Sequence, residues 1–125
     1  MWDFFTQDEL RCKGTDECNM DQEFMEMLVS LRYAYDKPMV ISSGYRDASY
    51  NQVIGGAKNS PHLFGKAVDV LVSGRDAYEL MSLAMEKGFS GIGISQRGPH
   101  DSRFIHIDTM EDSDTHPRPW VWSYK

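Results

Sequence analysis

The chain has 125 residues, with 13 Lys and Arg against 19 Asp and Glu, for a formal charge of −6. Apolar residues make up 41% and charged residues 26%, which fits a folded globular chain and excludes a disordered or fibrous one. The acidic balance argues against a general electrostatic grip on nucleic acid or anionic lipid, so an anionic ligand has to be met by a local cation or a metal ion.

The length corresponds to one domain, residues 1–125. No apolar run approaches the roughly 18 residues of a membrane span. Met1-Trp2-Asp3 carries an acid where a secretory leader carries Lys or Arg, so no signal peptide is expected. Cys12 and Cys18 are too few for a disulfide framework, and no second pair or adjacent His completes a structural zinc site. A small bridged loop and two free thiols both remain open.

In chain order, Thr6 and Glu9 form a capping-box pattern over a short helix, residues 6–10. Phe24, Met27, Leu28, Leu31 and Tyr35 share one face of a helix from Asp21 to Tyr35, which Lys37-Pro38 ends. Met39–Ser42 reads as a buried strand. Asp47 caps a short helix running to Val53, and Gly55-Gly56 break it. Residues 57–65 are loop. Lys66–Val72 is a strand with Ala67, Asp69 and Leu71 on one face and Val68, Val70 and Val72 on the other. Asp76–Lys87 is a helix whose inner face is read as Tyr78, Met81, Ala84 and Met85, with Leu80 and Leu83 beside them. Gly91–Ser95, Arg103–Thr109 and Trp120–Tyr124 are strands, and residues 110–118 an acidic loop in which His116 reads as a surface residue. Helices and strands mix without regular βαβ spacing, so the expected fold is α+β with a largely antiparallel sheet. Gly91-x-Gly93 lacks the context of a nucleotide-binding loop.

The chemistry concentrates on two strands. Asp69 sits inside Ala-Val-Asp-Val-Leu-Val, and a carboxylate buried there needs a strong partner. His106 and Asp108 lie in Phe-Ile-His-Ile-Asp on one strand face, about 7 Å apart. Neighbouring strands would present Asp69 and His106 together, with His62 at the mouth. Two His, one Asp and an open position compose a catalytic zinc site. A structural His–Asp hydrogen bond is the competing reading, and manganese, iron or cobalt are alternative metals.

Ser60-x-His62-x-x-Gly65-x-Ala67-x-Asp69 matches the S-x-H-x-x-G-x-A-x-D motif of the zinc D-alanyl-D-alanine carboxypeptidase family. That family includes phage L-alanyl-D-glutamate and D,D-endopeptidases, and its zinc site resembles that of the hedgehog signalling domain. Ser43-Gly44-Tyr45-Arg46 resembles its S-G-Y-R segment, His106-Ile107-Asp108 its H-x-D, and Trp122-Ser123-Tyr124 the W-S-Y ending of small phage-type members. The resemblance implies zinc on His62, Asp69 and His106, and Arg46 polarising the scissile carbonyl or holding the oxyanion. Ser60 is a candidate for hydrogen bonding to substrate, and Asp108 for orienting a ligand. Several members carry the general base three residues before the last His. Here that position is Arg103, which cannot be deprotonated. Asp101 is the preferred base, with His100 and Asp108 as alternatives.

The implied activity is zinc-dependent hydrolysis of peptidoglycan stem peptides or cross-links by a monomer. It would be made in a host cytoplasm and act at the cell wall after release or as part of a virion. The alternative is a non-catalytic, hedgehog-like zinc-binding interaction domain, which the departure at Arg103 supports.

Overall fold

The computed structural model describes residues 2–124. A five-stranded sheet stands behind two long helices: α1 is Gln7–Leu10, α2 Gln22–Tyr35, β1 Val40–Ser43, α3 Ala48–Val53, β2 Ala67–Leu71, α4 Gly74–Glu86, β3 Gly91–Ser95, β4 Phe104–Asp108 and β5 Trp120–Ser123. Single 3₁₀ turns cover Pro61–Phe64 and His100–Ser102. The sheet order is β1-β2-β4-β3-β5. Every pairing is antiparallel except β3 with β5, which is parallel because the chain crosses from β4 to the far edge before β5 begins. The architecture is α+β.

The helix ends follow local chemistry. The Thr6–Glu9 capping box is present, and the Asp21 and Asp47 carboxylates accept the backbone N–H of Phe24 and Tyr50 at 2.9 and 2.8 Å. The core forms where Phe24, Leu28 and Leu31 of α2 and Ala77, Leu80 and Ala84 of α4 meet Val68 and Val70 of β2, Ile92 of β3, and Ile105 and Ile107 of β4. Burial of each large aliphatic side chain there contributes about 1.5–3 kcal/mol.

Two inner-face expectations change. On α4 the residues facing the sheet are Ala77, Leu80 and Ala84, while Tyr78 is 79% and Met85 52% exposed. The crowded apolar sequence of α4 allows two overlapping stripes, and the narrow one carrying alanines lets the helix approach the sheet. On α2, Met25 is fully buried and Met27 only partly so. Both cysteines are free thiols, with Cys12 fully buried.

Strand register positions the site. Ser43 pairs with Asp69, Asp69 with His106, His106 with Gly93, and Gly93 with Trp122, a single row across five strands. A β-bulge between Ile41 and Ser43 brings Ser43 into that row. The next row runs Ala67, Asp108, Gly91, Trp120.

Candidate metal centre

His62, Asp69 and His106 meet on the sheet face away from α2 and α4, each at most 7% exposed. One ligand atom from each lies within 4.8 Å of the others, the one such grouping of three among the described residues. Asp69 Oδ1 is 3.2 Å from His62 Nε2 and 3.1 Å from His106 Nδ1.

The outward nitrogens fix the tautomers. His62 Nδ1 is 2.7 Å from the Gly44 carbonyl, which only accepts, so Nδ1 carries the proton and Nε2 presents a lone pair. His106 Nε2 donates to Asp108 Oδ2 at 2.7 Å, so in the neutral ring its Nδ1 presents a lone pair. Neutral rings anchored this way turn two lone pairs toward a carboxylate oxygen. A cation between them, a metal ion or a proton on one ring, satisfies all three acceptors. The donor set, two imidazoles and one carboxylate, suits zinc, with room for further ligands from the cleft.

Burial pushes the His62 pKa down despite the pull of Asp69, favouring the neutral ring a metal needs. For His106, burial also acts downward, but hydrogen bonds to Asp108 and Asp69 outweigh it and raise the pKa. Burial would raise Asp69, yet the two histidines hold it well below the usual carboxylate range.

Asp108 is completely buried behind His106. Burial disfavours its charge, but His106 and Arg118 reverse that and hold its pKa at about 2. Arg118 grips it with Nε and Nη2, each at 2.9 Å, and its guanidinium lies 5.2 Å from the Trp122 ring centroid. The Trp122 ring packs 5.1 Å from that of His106. This arrangement depends on Gly91 and Gly93. A Cβ on Gly91 would overlap the Asp108 carboxylate, and one on Gly93 would lie 2.8 Å from the Trp122 and Tyr124 rings. The glycine pair makes room for the support of His106.

Asp69 and both histidines line a cleft of about 390 Å³. Arg46 enters it from the other side. Its Nε donates to Ser43 Oγ at 3.2 Å and Nη1 to Asn51 Oδ1 at 3.3 Å, while Nη2 lies 3.7 Å from Asp69 Oδ2. Asn51 is itself held by a 2.8 Å bond from Nδ2 to the Ala57 carbonyl. The guanidinium is thus fixed beside the metal position. Ser60 caps the turn that carries His62, its Oγ accepting the His62 N–H at 3.3 Å, and it also lines the cleft. Gly65 closes that turn at φ +67°, packed against the backbone of Asn19–Asp21.

The expected base is placed elsewhere. Asp101 is exposed and, with His100, lines a different hollow beside Tyr35, Pro38 and Asp76. Leu71 pairs with Phe104, so residues before Phe104 run past the end of β2 and away from Asp69. Asp108 is likewise not free to reach a reacting group, since its oxygens are occupied by His106, Arg118 and the Met110 N–H. Arg103 donates through Nε to the Gly98 carbonyl. His116 is buried rather than on the surface: its ring bonds to the Asn59 carbonyl and packs against Phe64, tying the acidic loop to the His62 turn.

Tyr124, Trp122, Asn51 and Arg118 are site residues that the sequence reading did not single out for a role. Tyr124 lines the cleft, its ring centroid 5.2 Å from that of Phe104. Burial, reinforced by the charge of Asp69, pushes its pKa up to about 12, so its hydroxyl stays protonated.

The fold and site define a compact metal-binding domain in which a fixed arginine faces the ligand cluster. Residues 3–108 match the Peptidase M15 family, and the chain belongs to it. Two curated relatives illustrate the likeness. The zinc D-Ala-D-Ala carboxypeptidase of Streptomyces albus G is 35% identical over 83 residues, 65% of this chain and 32% of that protein. The probable peptidoglycan L,D-endopeptidase MepK of Haemophilus influenzae is 35% identical over 96 residues, 73% of this chain and 49% of that protein. The matched segments span only 32% and 49% of those relatives.

Proposed function

We propose that the chain is a zinc-dependent peptidase that hydrolyses an amide bond in the stem peptides or cross-links of bacterial peptidoglycan. The observation that carries this reading is the convergence of three lone pairs from His62, Asp69 and His106 next to the immobilised Arg46. Membership of the M15 family and the names of the two relatives support the substrate class.

Zinc held by these three residues would make water acidic near neutral pH and polarise a carbonyl oxygen. Arg46 places N–H donors where negative charge develops on that oxygen, and it needs no reorganisation because Ser43 and Asn51 already hold it. Gly44 and Asp108 keep the histidine lone pairs aimed inward. Trp122 and Tyr124 wall the cleft, and the protonated Tyr124 hydroxyl offers a donor to the substrate. Asp69 is the one carboxylate among the cleft residues and is itself a ligand. A zinc ion held by His62, Asp69 and His106 would supply the acidity of the attacking water, with no second carboxylate lining the cleft among the described residues.

A phage lysis enzyme or other wall hydrolase, acting as a monomer at the bacterial wall after release from a cytoplasm or as part of a virion, is the setting we infer. The second reading, a zinc-binding interaction domain without catalysis, is favoured by Arg103 at the family's base position.

Turbidity loss and mass spectrometry of fragments from purified peptidoglycan test the proposal. Zinc-loaded protein should release defined stem-peptide fragments, identifying the bond, and both chelator and His62→Ala should abolish release. No release by folded, zinc-loaded protein from several wall chemotypes would overturn the peptidase reading in favour of the binding domain.

A further inference from the structure

Beside the metal cleft lies a second hollow of about 220 Å³. The two share Arg46 and Ile54 as lining residues, so they lie on either side of the guanidinium. The lining of the second hollow reverses the composition of the chain. Acids outnumber Lys and Arg 19 to 13 overall. Yet Arg11, Lys13 and Arg46 all line this hollow and no Asp or Glu does, the remaining side chains including the hydroxyls of Ser42, Tyr45 and Tyr50.

The segment that brings the two extra cations here is anchored. Tyr45 N–H donates to the Leu10 carbonyl at 2.8 Å, joining the end of α1 to the strand exit at Arg46. Buried Cys12 pins the following turn, where Asp16 N–H donates to the Cys12 carbonyl at 2.8 Å. Arg11 is engaged by Asp8 and Asp16. Lys13 is exposed and makes no salt bridge among the described residues, so its charge is available to a ligand. Arg11 and Arg46 are already faced by Asp8, Asp16 and Asp69, so among the described residues Lys13 is the one cation on this hydroxyl-lined hollow left to meet an anionic group.

We propose that this hollow is a carboxylate-binding extension of the substrate cleft. It takes a free carboxylate of the substrate peptide next to the scissile amide, with Lys13 as its cation and Arg46 joining it to the reacting centre. The proposal rests on the peptidase reading and adds a specificity element: peptides with that carboxylate free are preferred over those in which it is a carboxamide.

The test uses the zinc-loaded protein and two synthetic stem peptides that differ only in this group, carboxylate or carboxamide. Their reduced-amide analogues, which cannot be hydrolysed, give Kd by NMR titration. The carboxylate peptide should show a KM about tenfold lower, with kcat within about twofold, and its analogue a matching preference in Kd; one charge-assisted contact is enough for this. The preference should shrink in 0.5 M salt, because the partner cation is exposed. Lys13→Glu should reduce it to about twofold or less, and Lys13→Arg should keep most of it. Equal KM and Kd for the two peptides, or a preference insensitive to both salt and Lys13→Glu, would overturn the subsite. Turnover of both peptides with equal constants would sink the subsite and leave the peptidase standing. Carboxylate-selective binding of the analogues without any turnover would do the reverse. No binding by either analogue would count against the subsite.

Discussion

Along β4, Ile105 and Ile107 face the helices while His106 and, buried behind it, Asp108 lie on the opposite face, and all four are at most 1% exposed. β2 repeats the contrast, with Val68 and Val70 on one side and Asp69 on the other. Burial is nearly the same on the two faces, but what holds the residues differs. The core face works by area and packing, and its members share neighbours, so each contributes in proportion to what it covers. On the cleft face every polar group has a named partner, and among the described residues no buried side-chain N or O lacks one. Removing one member there strands another, which costs more than the bond itself. The core face therefore stabilises through packed area, while the cleft face stabilises through paired polar groups that also hold the candidate metal ligands.

The sharpest way to break this comparison pairs one substitution from each face. Arg46→Met should lower kcat/KM about 10²–10³-fold, the usual loss for a donor to a developing oxyanion, with the fold and bound zinc retained. Ile107→Ala should cost about 2–5 kcal/mol in urea unfolding yet leave zinc stoichiometry and kcat per folded molecule near the parent values. Similar effects of both substitutions on stability and on kcat would erase the distinction.

A smaller effect tests the support of His106. Gly91→Ala puts a methyl group into the space of the Asp108 carboxylate, which His106 and Arg118 hold in place. Zinc affinity, read by competition with a chromogenic chelator, should fall 10–100-fold. Unchanged affinity would mean that Asp108 can move without disturbing its histidine.

The smallest effect concerns pH. Asp108 titrates at about 2 in the fold, against an ordinary 3.8. A carboxylate with a lowered folded pKa adds stability above its unfolded value and loses it as pH falls toward the folded one. Metal-free protein should therefore lose on the order of 2 kcal/mol from this group between pH 4 and pH 2. Asp69, also lowered, acts in the same direction. Arg118→Met, followed by urea unfolding at pH 5 and pH 3, should flatten part of that dependence. An identical slope in the variant would show that Arg118 does not hold Asp108 ionised.

Much of this organisation could be read along the chain. The α2 periodicity, the Asp21 and Asp47 caps and the alternation in β2 and β4 are local patterns, and the helices and strands lie within a few residues of where they were expected. The placement of His62, Asp69 and His106 together follows the same logic, since alternation sends Asp69 and His106 to one face and the turn after Ser60 brings His62 over them. Other features were not legible. The apolar residues of α4 occupy more than one stripe, so the sequence places Ala84 correctly but Tyr78 and Met85 wrongly, and only packing against the sheet selects Ala77 and Leu80 with Ala84. Asp101 looked close to the site because it is near His106 in sequence, but the β2–β4 register carries it past the strand end. His116 looked exposed in a polar loop, yet the Asn59 carbonyl and Phe64 bury it.

The sequence by itself determined the strand alternation, the helix caps and the set of residues able to bind a metal, because each depends on neighbours a few positions away. Only the tertiary structure decided which nitrogen of each histidine faces inward, that Arg118 and Trp122 support His106, and that Gly91 and Gly93 make space for them. Those contacts join strands across a sheet whose parallel β3–β5 edge no local pattern specifies. The physical reason is that a partner's chemistry is written in its own residue type, whereas its distance and direction depend on register and packing.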